Sequence, residues 1–415
     1  MRRDSRLAGL LPVLAAAGVA ELGRRLLAPR APVIAPADVD VHTYFSEAEM
    51  ARGRRFARPQ LALALANEAL ELGALTALTL RAAGPLRPGR RWGHPAAGGA
   101  TVATGLALAL SASTLPLSAA ARRRRLAVGL ETQSWRGWLA DLGKAGIIQT
   151  GFAAAAGAGV VMATRRYPRQ WWLPVAVSSV GVGAVLTALA PVVLDPIFND
   201  FTRLPEGETR SDVLALAADA GVKVGEVYSV DASRRTTAAN AYVTGLGPTK
   251  RVVLFDTMLD RYSRDEVRLV VAHELGHVRH RDVPRGVAFA ALMAPVTAWA
   301  VQRLSWRLSP ERGTPGSLPA LALAAALVAA PLGPIASRLS RAVERRADQF
   351  SLELAGGDAA DAFISFERGI ALQNVADLEP PKWVTRLLAS HPPTTERIGA
   401  AVAFRQRSAS TAGSR

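Results

Sequence analysis

The 415-residue chain contains no cysteine. That excludes disulfides, thiolate-bound zinc, iron–sulfur clusters and thiol nucleophiles, so any metal must be held by histidine and carboxylate. Aromatic residues are scarce, at 6%, although half the chain is hydrophobic. The apolar content is mostly Ala, Leu and Val, in long uncharged blocks rather than at the spacing of a soluble core. Acidic residues are outnumbered, 34 against 50 Lys and Arg, leaving a net charge of +16. Nucleic acid is the first partner such a charge suggests. Here, however, the basic residues collect between apolar blocks, at Arg52, Arg54, Arg55 and Arg58 and at Arg122–Arg125. That is where membrane proteins place positive charge, so the expected partner is a lipid bilayer and not nucleic acid. The preference for Arg over Lys, with abundant Ala and Gly, reads as a GC-rich genome and carries no functional information.

A membrane span needs about 20 mostly apolar residues. Seven segments qualify, near 7–28, 60–80, 95–121, 145–164, 170–194, 286–302 and 316–337. The first has a basic start and an apolar core, as a signal peptide does, but Leu26-Leu27-Ala28 resumes the apolar run, and we read it as an uncleaved anchor. The second carries Asn67, Glu68 and Glu71, which suits a helix facing a bundle interior or wet cavity, or else an amphipathic surface helix. The expected organisation is a membrane domain over 1–194, a soluble stretch over 195–285 and a two-span hairpin over 286–337. A second polar helical stretch over 338–406 and a disordered tail over 407–415 complete it. Within the soluble part, 211–220 reads as a helix ended by Gly221, and 226–230, 239–244 and 251–255 read as strands. Gly245-Leu246-Gly247-Pro248 supplies a turn between the last two. Ser263 and Glu266 form a capping box for a helix reaching about His280. The fold class is a mainly α membrane protein with a small α+β, zincin-like catalytic domain.

That helix contains His273-Glu274-Leu275-Gly276-His277. Positions i and i+4 share a face, so both imidazoles can reach one zinc ion, and the glutamate between them can take a proton from a water activated there. A catalytic zinc site needs a third protein ligand. Glu344 is the candidate. Asp348 lies one turn on, where it can accept a hydrogen bond from the far nitrogen of a ligand histidine, expected to be His273. A solvated charge run is the alternative, since Arg341, Arg345 and Arg346 surround the pair. Topology favours the site, because two intervening spans return the chain to the side it left. His280, at the helix end, reads as a surface or dipole-compensating residue. His42 and His94 have no matching carboxylates. His391, fixed before Pro392-Pro393, can donate to the oxyanion of a tetrahedral intermediate.

These residues resemble the type I CAAX prenyl endopeptidases, membrane zinc metallopeptidases. The likeness runs through Gly129–Ser134 with Trp138, Asp141 and Lys144, then Pro196–Asn199, Asp231–Ser233, Asn240–Gly245 and Val253–Thr257. It continues through His273–His277, Ser340–Glu344 with Asp348, and Ser390–Pro393. At 131 a glutamate departs from the family's usual segment. The resemblance implies seven spans enclosing a water-filled chamber capped by the zinc domain, with Glu344 as third ligand and His391 as a transition-state donor. It also implies that Asn240, Ala241 and Tyr242 lie on a strand edge that pairs with an extended peptide. The expected activity is zinc-dependent hydrolysis of membrane-associated or prenylated CAAX-type peptides, with Glu274 as general base. A quality-control endopeptidase and a non-catalytic zinc scaffold or transporter are the competing readings. The positive-inside rule puts the catalytic domain on the cytoplasmic face.

Overall fold

The structure is a computed structural model that describes residues 2–30, 33–83, 93–245, 250–356 and 358–413; the side chains of 2–9, 83 and 411–413 fall outside the description. Five long helices form the membrane region's first part: α1 (Arg2–Leu27), α2 (Glu47–Ala83), α3 (Pro95–Ala127), α4 (Trp135–Arg166) and α5 (Trp172–Val193). The soluble part follows with α6 (Asp195–Phe198), β1 (Phe201–Arg203), α7 (Glu208–Asp219), β2 (Glu226–Val230), β3 (Ala241–Thr244), β4 (Arg251–Phe255), α8 (Asp256–Arg261) and α9 (Arg264–Arg279). Then come α10 (Asp282–Leu308), α11 (Leu318–Ala329), α12 (Leu332–Ala355), α13 (Ala359–Gln373), α14 (Lys382–Leu387) and α15 (Thr394–Gly413).

Among the described residues, five helices are long and apolar enough to cross a membrane: Glu47–Ala82, Pro95–Ala127, Trp135–Arg166, Trp172–Phe198 and Asp282–Leu308. They turn apolar side chains outward, with Leu80, Ile147 and Val177 each about two-thirds exposed or more, as lipid-facing helices must. The segment expected as one clean span over 316–337 is broken. The α11 and α12 helices meet at a 46° bend, and only as a bent pair do they add a sixth span. Pro331 and Pro334 fall at the break; proline lacks the amide hydrogen and clashes with the preceding turn. Beyond the bend α12 runs unbroken into the soluble part, so a boundary at 337 falls inside a helix. The expected first span, α1, is not among these five helices in its described residues; it packs Ala16 against Ala300 and Val328. The α3 and α4 backbones approach so closely that a Cβ on Gly157 would collide with the Gly99 carbonyl oxygen, the small-residue contact typical of helices in lipid.

The sheet order is β1-β2-β4-β3. The β2 and β4 strands run parallel, and β1 and β3 pair antiparallel with β2 and β4 respectively. This leaves β3 an edge strand. Val227, Val252 and Leu254 are fully buried with Val271 and Leu275 of α9, so the helix that carries the histidines is fixed by the sheet's apolar face. Its start is the expected capping box: Ser263 N–H donates to Glu266 Oε2 at 2.8 Å, and Glu266 N–H donates to Ser263 Oγ at 3.3 Å. Residues 246–248 of the expected turn lie outside the described residues. The tail expected to be disordered from Arg407 is instead helical to Gly413, because no proline or glycine interrupts 400–412 to end α15; residues 414–415 lie outside the description.

Candidate metal centre

Helical spacing puts His273 and His277 on one face of α9, and their Nε2 atoms lie 3.1 Å apart. Glu344 of α12 projects between them, with Oε2 3.3 Å from His273 Nε2 and Oε1 3.8 Å from His277 Nε2. Two donors each about 2.0–2.1 Å from one tetrahedral ion stand about 3.3 Å apart, so the three separations bracket the value a shared metal requires. Glu344 Oε2 is buried and accepts no hydrogen bond, which is how a carboxylate oxygen awaiting a cation is left. Gly276 lets α12 come this close: a Cβ there would stand 3.0 Å from the Phe350 ring.

Behind each imidazole is a carboxylate. His273 Nδ1 lies 2.9 Å from Asp348 Oδ1, and His277 Nδ1 lies 3.0 Å from Asp282 Oδ2. The Asp282 hydrogen bond fixes the His277 ring so that its Nε2 faces the centre, and the Asp348 carboxylate stands beside His273 Nδ1 on the side away from the centre. Asp348 in turn accepts from Arg397 Nε at 2.9 Å, and Arg397 pairs at 2.5 Å with the buried Glu367. Arg346 pairs with Asp282. Burial opposes charge on His273, but Asp348 and Glu344 outweigh it and hold the ring's pKa up to about 10, so a metal entering here displaces a proton. Burial pushes the Glu367 carboxyl up to about 7 against the pull of Arg397.

The centre opens on a cleft of about 350 Å³ lined by Asn240, Glu274, Phe363, Phe366, Asn374 and His391 among others. The metal-binding atoms of His273, Glu274 and His277 all lie within 4.8 Å of one another. Burial raises the Glu274 carboxyl above the usual range, more than the two histidines lower it, which suits a group that must accept a proton and give it up again. His391 sits at the mouth, 63% exposed, with Nε2 3.4 Å from Glu344 Oε2 and Nδ1 3.0 Å from Ser390 Oγ. Asn240 lines the cleft just ahead of the edge strand. Ala241 is buried beneath it, and the Tyr242 hydroxyl points away to Asp195 at 3.4 Å, so those two can meet a ligand only through backbone. His280 caps α9 through Nδ1 to the Gly276 carbonyl oxygen at 2.8 Å.

Sequence reasoning missed Asp282, Glu367 and Arg397. A signal for Asp282 existed: it is the first carboxylate after His277, and a ligand histidine needs an acceptor for its second nitrogen. It arrives through Arg281, whose left-handed φ of 56° turns the chain sharply between α9 and α10. No local pattern marks Glu367 or Arg397.

Residues 203–404 match the model of peptidase family M48. The Bacillus subtilis (strain 168) protein named Uncharacterized metalloprotease YhfN is 32% identical over 243 residues, 56% of this chain and 57% of that one. CAAX prenyl protease 1 of Saccharomyces cerevisiae is 37% identical over 123 residues, 29% of this chain and 27% of its own. The Oryza sativa homologue is 31% identical over 226 residues, 52% of each chain. The chain thus spans about half the length, or less, of the curated relatives it matches. The crystal structure of S. mikatae Ste24p superposes with a TM-score of 0.76 at 18% identity, covering 95% of this chain and 97% of that one; the two share a fold.

Proposed function

We propose that the chain, whose residues 203–404 match the model of peptidase family M48, is a member of that family and an integral-membrane zinc metalloendopeptidase acting on membrane-associated peptides. The observation that carries this reading is the convergence of His273, His277 and Glu344 at tetrahedral donor spacing beside Glu274. Zinc held by those three residues would polarise the scissile carbonyl and lower the pKa of a water. The chain's own residues supply the rest. Glu274 takes the proton from the attacking water and delivers it to the leaving amine. His391 donates from Nε2 to the oxygen on which negative charge develops. The unpaired side of β3, beginning at Asn240, aligns an extended substrate by its backbone. Asp348 and Asp282 keep both histidines oriented throughout.

Prenylated CAAX-type peptides are the first substrates to test, since several relatives bear that name. A strand edge reads backbone rather than side chains, which also favours a broader membrane endopeptidase. Equal cleavage of prenylated and unprenylated peptides would select the broader reading. The decisive experiment pairs metal content with turnover for wild type and Glu274→Gln. One zinc in each, with cleavage by wild type alone, is expected. Cleavage by Glu274→Gln at the wild-type rate would overturn the mechanism, and zinc-free protein would overturn the ligand set. We further propose that this domain faces the cytoplasm, because the basic segments Arg52–Arg58 and Arg122–Arg125 lie at its end of the spans.

A further inference from the structure

The opposite end of the membrane region has a chemistry of its own. There the turn between α4 and α5 meets the connection between α10 and α11, enclosing a cavity of about 480 Å³. Arg165, Arg169 and Arg312 line it together with Trp171, Trp306 and, among the described residues, a single carboxylate, Glu311. Glu311 is engaged locally, accepting from Thr314 Oγ1 at 2.7 Å. The Arg312 guanidinium stacks 4.6 Å from the centre of the Trp306 ring, which holds a flexible cation in place without neutralising it. Among the described residues, none of the three arginines is in an ion pair with a carboxylate.

We propose that this cavity binds the phosphate headgroup of an anionic glycerophospholipid. Three arguments converge. The cavity lies where four apolar helices end, at the level of lipid headgroups, and tryptophan and arginine are the residues that anchor there. Three guanidinia against one carboxylate match a phosphate diester, for which the planar guanidinium offers paired donors. Just below Trp171, α5 exposes Leu173 and Val177, 47% and 67%, an apolar track along which acyl chains can lie. A soluble anion would use only the first part of this arrangement, whereas a phospholipid uses both. Basic pockets between membrane helices bind acidic headgroups for this reason. The site is remote from the metal centre and does not depend on the peptidase reading.

Delipidated full-length protein in neutral detergent, titrated with phosphatidylglycerol or phosphatidylcholine and followed by native mass spectrometry and tryptophan fluorescence, tests it. Wild type is expected to bind phosphatidylglycerol roughly tenfold or more tighter than phosphatidylcholine. The combined Arg165→Gln, Arg169→Gln, Arg312→Gln variant is expected to lose that preference while keeping its metal content. Equal affinity of wild type for the two lipids overturns the proposal, as does full preference in the variant. Inorganic phosphate competing as effectively as phosphatidylglycerol would reveal a soluble-anion site and also overturn it. Should the triple variant not fold, Arg169→Gln alone and the wild-type comparison still decide.

Discussion

Asp282, the first residue of α10, accepts a hydrogen bond from Nδ1 of His277 at 3.0 Å. The helix that carries the chain back into the membrane therefore also orients a candidate metal ligand. Replacing it by Asp282→Asn keeps the shape and removes the charge. Metal affinity is expected to fall about 10–100-fold, measured by chelator competition. An unchanged affinity would show that His277 needs no such partner.

Gly276→Val tests the closeness of α9 and α12. The added side chain meets the Phe350 ring, and overpacking of this kind costs about 1–3 kcal/mol. The expected result is a lower Tm and weaker metal binding, as Glu344 is displaced with α12. Adding Phe350→Leu should restore part of both. A single variant with wild-type zinc affinity would count against the contact.

His391→Ala removes an exposed side chain that contributes little to packing. Zinc content and Tm should hold, while kcat falls about 10²–10³-fold with KM little changed, as for loss of an oxyanion donor. A rise in KM alone would reassign His391 to substrate binding.

Glu367 gives stability a pH dependence. Its folded pKa, about 7, lies above the ordinary 4.5, chiefly through burial. A raised carboxyl pKa contributes stability that is present below about 4.5 and is lost as pH rises through about 7. Glu367→Gln should flatten Tm against pH across that window and raise it above pH 7 relative to wild type. Parallel Tm profiles for the two proteins would contradict this.

The absence of cysteine makes topology directly measurable. Ser410→Cys, on α15, and Gln170→Cys, in the turn between α4 and α5, replace exposed residues. They should label from opposite sides of the membrane with an impermeant maleimide. With the catalytic domain inside, only Gln170→Cys reacts in intact cells. Reaction of Ser410→Cys instead would invert the orientation.

Sequence by itself determined whatever depends on neighbours along the chain. Helical periodicity put His273, Glu274 and His277 on one turn of a capped helix, and Glu344 and Asp348 on one face of another. Runs of uncharged Ala, Leu and Val announced the spans, because lipid leaves backbone groups no partner outside the helix. Tertiary structure decided the rest. Only packing brings Glu344 to the histidines across two membrane helices, with Gly276 leaving room for the Phe350 ring of α12. Only the sheet order makes β3 an edge. Only the buried chain from His273 through Asp348 and Arg397 to Glu367 explains why charges separated by over a hundred residues share one apolar interior. A buried charge is stable where its partner stands, and the partner's place is set by the folded chain rather than by any local pattern.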